Sequence, residues 1–157
     1  MSLRAPIASD HQLARLLQIG VVLEAVVEAR AEKHAEATHE AEVVAMLEDA
    51  VAESAEHRER LEAILADLDA ETVPFDEIQK LVVAQYEADQ DFDGILYDQL
   101  CNEETAYKFY DDLIGAIETS DADFGVDRAH LLSVLETIRD EEADGVEEVT
   151  ELMEDYR

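Results

Sequence analysis

Cysteine, proline, glycine, tryptophan and lysine are all scarce in this chain of 157 residues, and each scarcity excludes something. A single cysteine, Cys101, rules out an internal disulfide and an iron site built from four thiolates, and it suits a reducing, cytoplasmic setting. Two prolines and five glycines leave few places to break a helix, and no alternating apolar–polar run is long enough for a sheet. The basic residues number eleven against forty-one acidic ones, for a net charge of −30. So negative a surface repels phosphate, which excludes nucleic acid and anionic membranes as partners. No apolar run approaches the ~20 residues needed to span a bilayer, and the opening MSLRAPIASDHQ lacks a signal-peptide core.

What remains is 48% apolar residues, enough to build a core. The acidity fits either a salt-accumulating cell, where molar salt shortens the Debye length to about 3 Å, or an ordinary acidic cytosolic protein. Helix formers dominate, and apolar positions recur with helical period. Ser9-Asp10 opens a first helix that carries Leu13, Leu17, Gly20, Glu24, Val27 and Ala31 on one face. A turn at HAEATHE leads to a second helix bearing Leu47, Ala50, Ser54, His57, Leu61 and Ile64. Pro74 punctuates a long connection, 70–94, which contains a short helix and the turn DQDFDG; the latter lacks the acidic twelfth position of a calcium loop. A third helix runs from Ile95, and after the loop TSDADFGVD, Asp127 caps a fourth with Leu131, Leu135, Ile138, Glu142, Gly145, Val149 and Leu152 on one side. The expected fold is all-α: one domain with a first antiparallel hairpin over 9–69, a crossover over 70–94 and a second hairpin over 95–157, together a four-helix bundle.

Polar residues interrupt these apolar faces. On the third helix Leu96, Leu100, Ala106, Tyr107, Tyr110, Ile114 and Ile117 form a stripe with Glu103 in its middle. A carboxylate facing a core must lose its charge, find partners or bind a cation. Glu24 and Ser54 lie equally far from the first turn, and Glu103 and Glu142 equally far from the second loop. Each pair therefore meets at one level of its hairpin. If the hairpins pack in register, inward carboxylates and the His57 imidazole gather midway, the donor set of a pair of iron or manganese ions. Taken singly, each has a plainer reading. An edge glutamate can reach solvent, His57 can be a core histidine bonded to a carboxylate, and Tyr107 and Tyr110 can be packing aromatics. His11, His34, His39 and His130 read as solvated.

The stretch EETAYKFY resembles the ligand-bearing helix of the ferritin-like family that includes rubrerythrins and bacterioferritins, with Glu103, Ala106 and Tyr110 at matching spacing. IRDEEADGVEEV is similar to that family's last helix and ESAEHRERLEAIL to its second, so the likeness covers nearly the whole chain in element order. The resemblance implies a ferritin-like bundle with a carboxylate-bridged pair of iron or manganese ions. Glu24, Glu53, His57, Glu103, Glu141 and Glu142 are its candidate metal ligands, and Tyr110 would bond a ligand carboxylate. It implies iron oxidation or peroxide defence with dioxygen or peroxide as co-substrate, an oxidoreductase chemistry, and a homo-oligomer, in the first instance a dimer. The chain departs from the pattern where Ser54 stands three before His57, leaving Glu53 or Glu53-x-x-Glu56 as substitutes. It departs again where Glu142-x-x-Gly145 and Glu141-x-x-Asp144 lack the family histidine. Those departures favour the competing expectation, a metal-free bundle that dimerises or binds a partner.

Overall fold

The computed structural model describes residues 7–80 and 94–156. They are helical, with no strand among them. Four long helices dominate: α1 (Asp10–Ala37), α2 (Ala41–Asp67), α3 (Ile95–Glu118) and α4 (Arg128–Asp155). None of the described helices is long and apolar enough to cross a membrane. Residues 75–80 are also helical, at the start of the short helix expected in the connection. The rest of that helix and most of DQDFDG lie outside the described residues.

Side chains cap the starts of two of the four long helices, α1 and α4. Ser9 Oγ accepts from Gln12 N at 3.2 Å, and Asp127 Oδ2 accepts from His130 N at 3.1 Å; each satisfies one of the backbone donors that an α-helix leaves unpaired at its start. Between α3 and α4 the Arg128 guanidinium donates to the carbonyls of Ile117 (2.6 Å) and Ala122 (2.7 Å), which holds the loop closed. Near the same end, Asp10 accepts from the backbone N–H groups of Asp69 and Gly125. The chain after α2 returns across α1 and α2: Gln18 Nε2 donates to the Val73 carbonyl, and the Arg58 guanidinium sits 4.0 Å from the Phe75 ring centre.

Helix α1 packs along α2 and α3 along α4, while α1 also meets α3 and α2 meets α4. Close approach of α1 to α3 depends on Gly20. A Cβ there would stand 3.0 Å from Leu61 Cδ1 and 3.2 Å from Phe109 Cε1, so any larger residue would press these side chains, including the Phe109–Tyr110 edge-to-face pair, outward.

The core is divided. One apolar cluster includes Leu13, Leu17, Val21, Leu61, Leu113, Ile117, Leu131, Leu135 and Ile138. A smaller one at the other end of the helices comprises Ala31, Val43, Met46, Leu47, Ala50 and Val149. In the interval between them lie the buried polar side chains Glu24, Ser54, His57, Gln99, Glu103 and Glu142.

Two sequence expectations are corrected. Tyr107 is 38% exposed and is not a core aromatic; the buried face of α3 is rotated towards Phe109 and Leu113, which α1 covers. His34 is not solvated but buried, with Nε2 2.9 Å from Asp98 Oδ2, an oxygen pair that Arg30 also engages at 3.1 Å. His11, His39 and His130 are exposed, and Cys101 is half-buried.

Candidate metal centre

Each long helix contributes to the polar layer. Glu24 of α1, His57 of α2 and Glu142 of α4 are all buried, and one donor atom from each lies within 4.8 Å of the others. A second trio, Glu53 of α2, Glu103 of α3 and again Glu142, meets the same criterion. The two trios share Glu142, so a single carboxylate stands between two places where a cation would be surrounded by donors.

The His57 imidazole is fully buried and engaged on both nitrogens. Its Nδ1 lies 3.1 Å from Glu142 Oε1 and 3.3 Å from Glu24 Oε1, the side of the first trio. Its Nε2 lies 3.2 Å from Glu141 Oε2. Burial alone would lower the pKa of this ring, but the hydrogen bonds and charges of Glu142 and Glu24 outweigh it and raise it to about 11. Without a metal ion, His57 is therefore an imidazolium at neutral pH.

Glu141 lies outside both trios. Its side chain is about one-third exposed and receives Arg60 Nη1 at 2.9 Å, while Arg60 also pairs with the exposed Glu56. Burial alone would raise the Glu141 pKa, but the hydrogen bonds from Arg60 and His57 prevail and hold it below the usual carboxylate range. The arrangement is a carboxylate on the far nitrogen of a histidine, which fixes the ring's orientation. Neither Glu53-x-x-Glu56 nor Glu141-x-x-Asp144 forms a ligand pair, because Glu56 and Asp144 face outward. Ser54 is buried with no carboxylate of its own; Glu53, from the flank of α2, extends into the cluster instead.

Burial and the neighbouring charges of Glu103, Glu141 and Glu24, only partly offset by His57, raise the Glu53 pKa to about 7. Glu142 is pushed up as well, chiefly by burial and then by Glu103 and Glu24. Such crowding of acids is the signature of a layer short of positive charge. Tyr110, wholly buried, donates its hydroxyl to Glu24 Oε1 at 2.7 Å and so fixes that carboxylate. The other oxygen, Glu24 Oε2, is buried without a hydrogen-bond partner among the described residues. An unpaired carboxylate oxygen in a core costs several kcal/mol unless a proton or cation meets it.

Gly145, three residues after Glu142 on α4, has a structural role. A Cβ added at Gly145 would lie 2.7 Å from Glu103 Oε2 and 2.8 Å from its Cδ. The Glu103 carboxylate thus fills the space that any side chain at 145 would occupy. Gln99, one turn before Glu103 and fully buried, donates from Nε2 to Glu103 Oε1 at 2.8 Å. Sequence reasoning passed over Gln99, although it lies four residues before Glu103 on the same helical face.

The donor set, one imidazole nitrogen and carboxylate oxygens on four helices, fits ions that accept both nitrogen and oxygen ligands. No protein-family model, curated protein or solved structure matches this chain.

Proposed function

We propose that this protein is a ferritin-like four-helix bundle holding two metal ions, iron or manganese, in a carboxylate-bridged centre. In this reading Glu24 and His57 would hold one ion and Glu53 and Glu103 the other, with Glu142 available to both. The observation that carries it is the sharing of Glu142 by two donor trios, one of which includes a buried carboxylate oxygen with no other partner. Four-helix packing with a long connection between two hairpins, and glutamates plus a histidine projecting inward from all four helices, supports the ferritin-like assignment.

When bound, such a pair of ions supplies redox chemistry towards dioxygen or peroxide, which suits iron oxidation and handling or peroxide defence in the cytoplasm. The chain's own residues prepare the place. Tyr110 orients Glu24, Glu141 and Arg60 orient His57, and the two apolar clusters above and below the layer exclude bulk water. Glu53, at 36% side-chain exposure, is the most exposed ligand of the set and the natural point of ion entry. Assembly as a homodimer belongs to the same reading.

A second reading has its own support. Both His57 nitrogens already have carboxylate partners, so the layer could be a metal-free proton-sharing core in a bundle that dimerises or binds a partner. Metal content separates the two. The metal-centre reading predicts about two ions per chain after anaerobic loading with Fe²⁺ or Mn²⁺. It also predicts a melting temperature that rises with free ion concentration, because a ligand of the folded state alone must stabilise it. Loading must expel the proton from His57, so affinity should climb with pH between 6 and 9, by up to about tenfold per unit for each proton released. No bound ion and an unchanged melting temperature would leave only the metal-free core.

A further inference from the structure

Gln99 is, with Ser54, one of two buried polar residues of this layer that neither donor trio uses. Its NH2 group faces the Glu103 carboxyl group, with Nε2 2.8 Å from Oε1. The carbonyl, Gln99 Oε1, is thereby committed as an acceptor inside the core, and it is buried with no hydrogen-bond partner among the described residues. A fully buried amide oxygen left unpaired costs about 1–3 kcal/mol. An apolar residue such as leucine or methionine would avoid that cost and suit helix α3 as well. The glutamine is therefore explained if a hydrogen-bond donor reaches its carbonyl, and the place beside Glu103 is where the second ion would bring one.

We infer that Gln99 is a positioning residue of the Glu53–Glu103–Glu142 subsite: its NH2 group fixes Glu103, and its carbonyl accepts a hydrogen bond from a water molecule held at that subsite. The inference rests on the two-ion reading and deepens it by making the subsites unequal. Glu24 of the first subsite is steadied by Tyr110 and His57 by Glu141, whereas Glu103 is held by Gln99 and confined by Gly145. Loss of Gln99 should therefore act on the second ion and spare the first.

The test is titration of the metal-free full chain with Mn²⁺, following free ion and the exchange-coupled two-ion signal by electron paramagnetic resonance. The wild type is compared with Gln99→Met, which keeps length and helix preference but loses both polar groups. Gln99→Leu serves in the same comparison should the methionine variant fold poorly. The expected result is two ions in the wild type. In the variant one ion binds with unchanged affinity, the second is weakened about 10–100-fold, the usual cost of losing a ligand's supporting hydrogen bond, and the coupled signal disappears at matched Mn²⁺. Two ions bound equally well by wild type and variant would overturn the role of Gln99. Equal weakening of both ions would also overturn it, by making Gln99 a general packing residue. A wild type that binds no Mn²⁺ at all would instead overturn the two-ion reading itself.

Discussion

Glu142→Gln is expected to abolish binding at both subsites while making the metal-free protein more stable. Glutamine preserves shape and one carbonyl oxygen but removes the charge shared by the two trios. Affinity for either ion should fall by at least about 100-fold, since losing a bridging ligand exceeds the 10–100-fold cost of losing a supporting contact. The opposite sign for stability follows from the ionisation of Glu142. Its pKa in the folded protein is raised, so folding favours the protonated form, and the carboxyl group becomes a growing liability as pH rises above its unfolded value of 4.5. A neutral amide escapes that cost, with an expected gain of about 0.5–2 kcal/mol at pH 7, in line with other substitutions that exchange function for stability. Ion counting and urea unfolding on the same preparation check both halves. A variant that still loads two ions would remove Glu142 from the centre.

The second large effect is on stability alone. His57→Leu should destabilise the metal-free protein by about 3–5 kcal/mol at pH 7, because Glu24 loses the buried cation beside it and a broken buried ion pair leaves uncompensated charge. The pH dependence has a definite sign. The folded-state pKa of His57, about 11, lies above the unfolded value of 6.5, so its stabilising contribution is fully present below pH 6.5 and is lost as pH rises through about 11. The gap between wild type and variant should accordingly narrow from pH 7 towards pH 11 in urea unfolding curves. An unchanged midpoint at pH 7 would mean that the imidazolium plays no part in holding the layer.

Both expectations draw on features that the sequence made legible to different degrees. Helical periodicity alone places Glu24, His57, Glu103 and Glu142 on inward faces, and the structure buries all four. That signal is strong because each residue lies three, four or seven positions from apolar neighbours whose burial is unambiguous. Choosing between Glu141 and Glu142 also follows from period, since Ile138 and Val149 lie four before and seven after Glu142.

Elsewhere the pattern carries less. Glu53 lies off the apolar face of α2, and its reach into the cluster depends on side-chain length and on how near α3 and α4 come, which no spacing rule encodes. Tyr107, four after Glu103, satisfies the period as well as Ala106 does. Its exposure is decided by which side of α3 packs against α1, and that side carries Phe109, close to Gly20. His34 sits within a turn-like segment and yet is buried, because Asp98, distant in sequence, meets it across the α1–α3 contact. Gly145 reads as a vacancy in a family pattern, whereas in three dimensions it is the space that Glu103 occupies. Long-range pairings of this kind are fixed by helix packing and leave no local trace.

The central claim is that acids from four helices converge on two cations. Anomalous diffraction at the iron or manganese edge from metal-loaded crystals addresses it most directly. The account predicts two peaks about 3.5–4 Å apart, one amid Glu24, His57 and Glu142 and the other amid Glu53, Glu103 and Glu142. Loaded crystals with no anomalous density in that layer, and with the His57 ring still bonded to Glu24, Glu142 and Glu141, would contradict it.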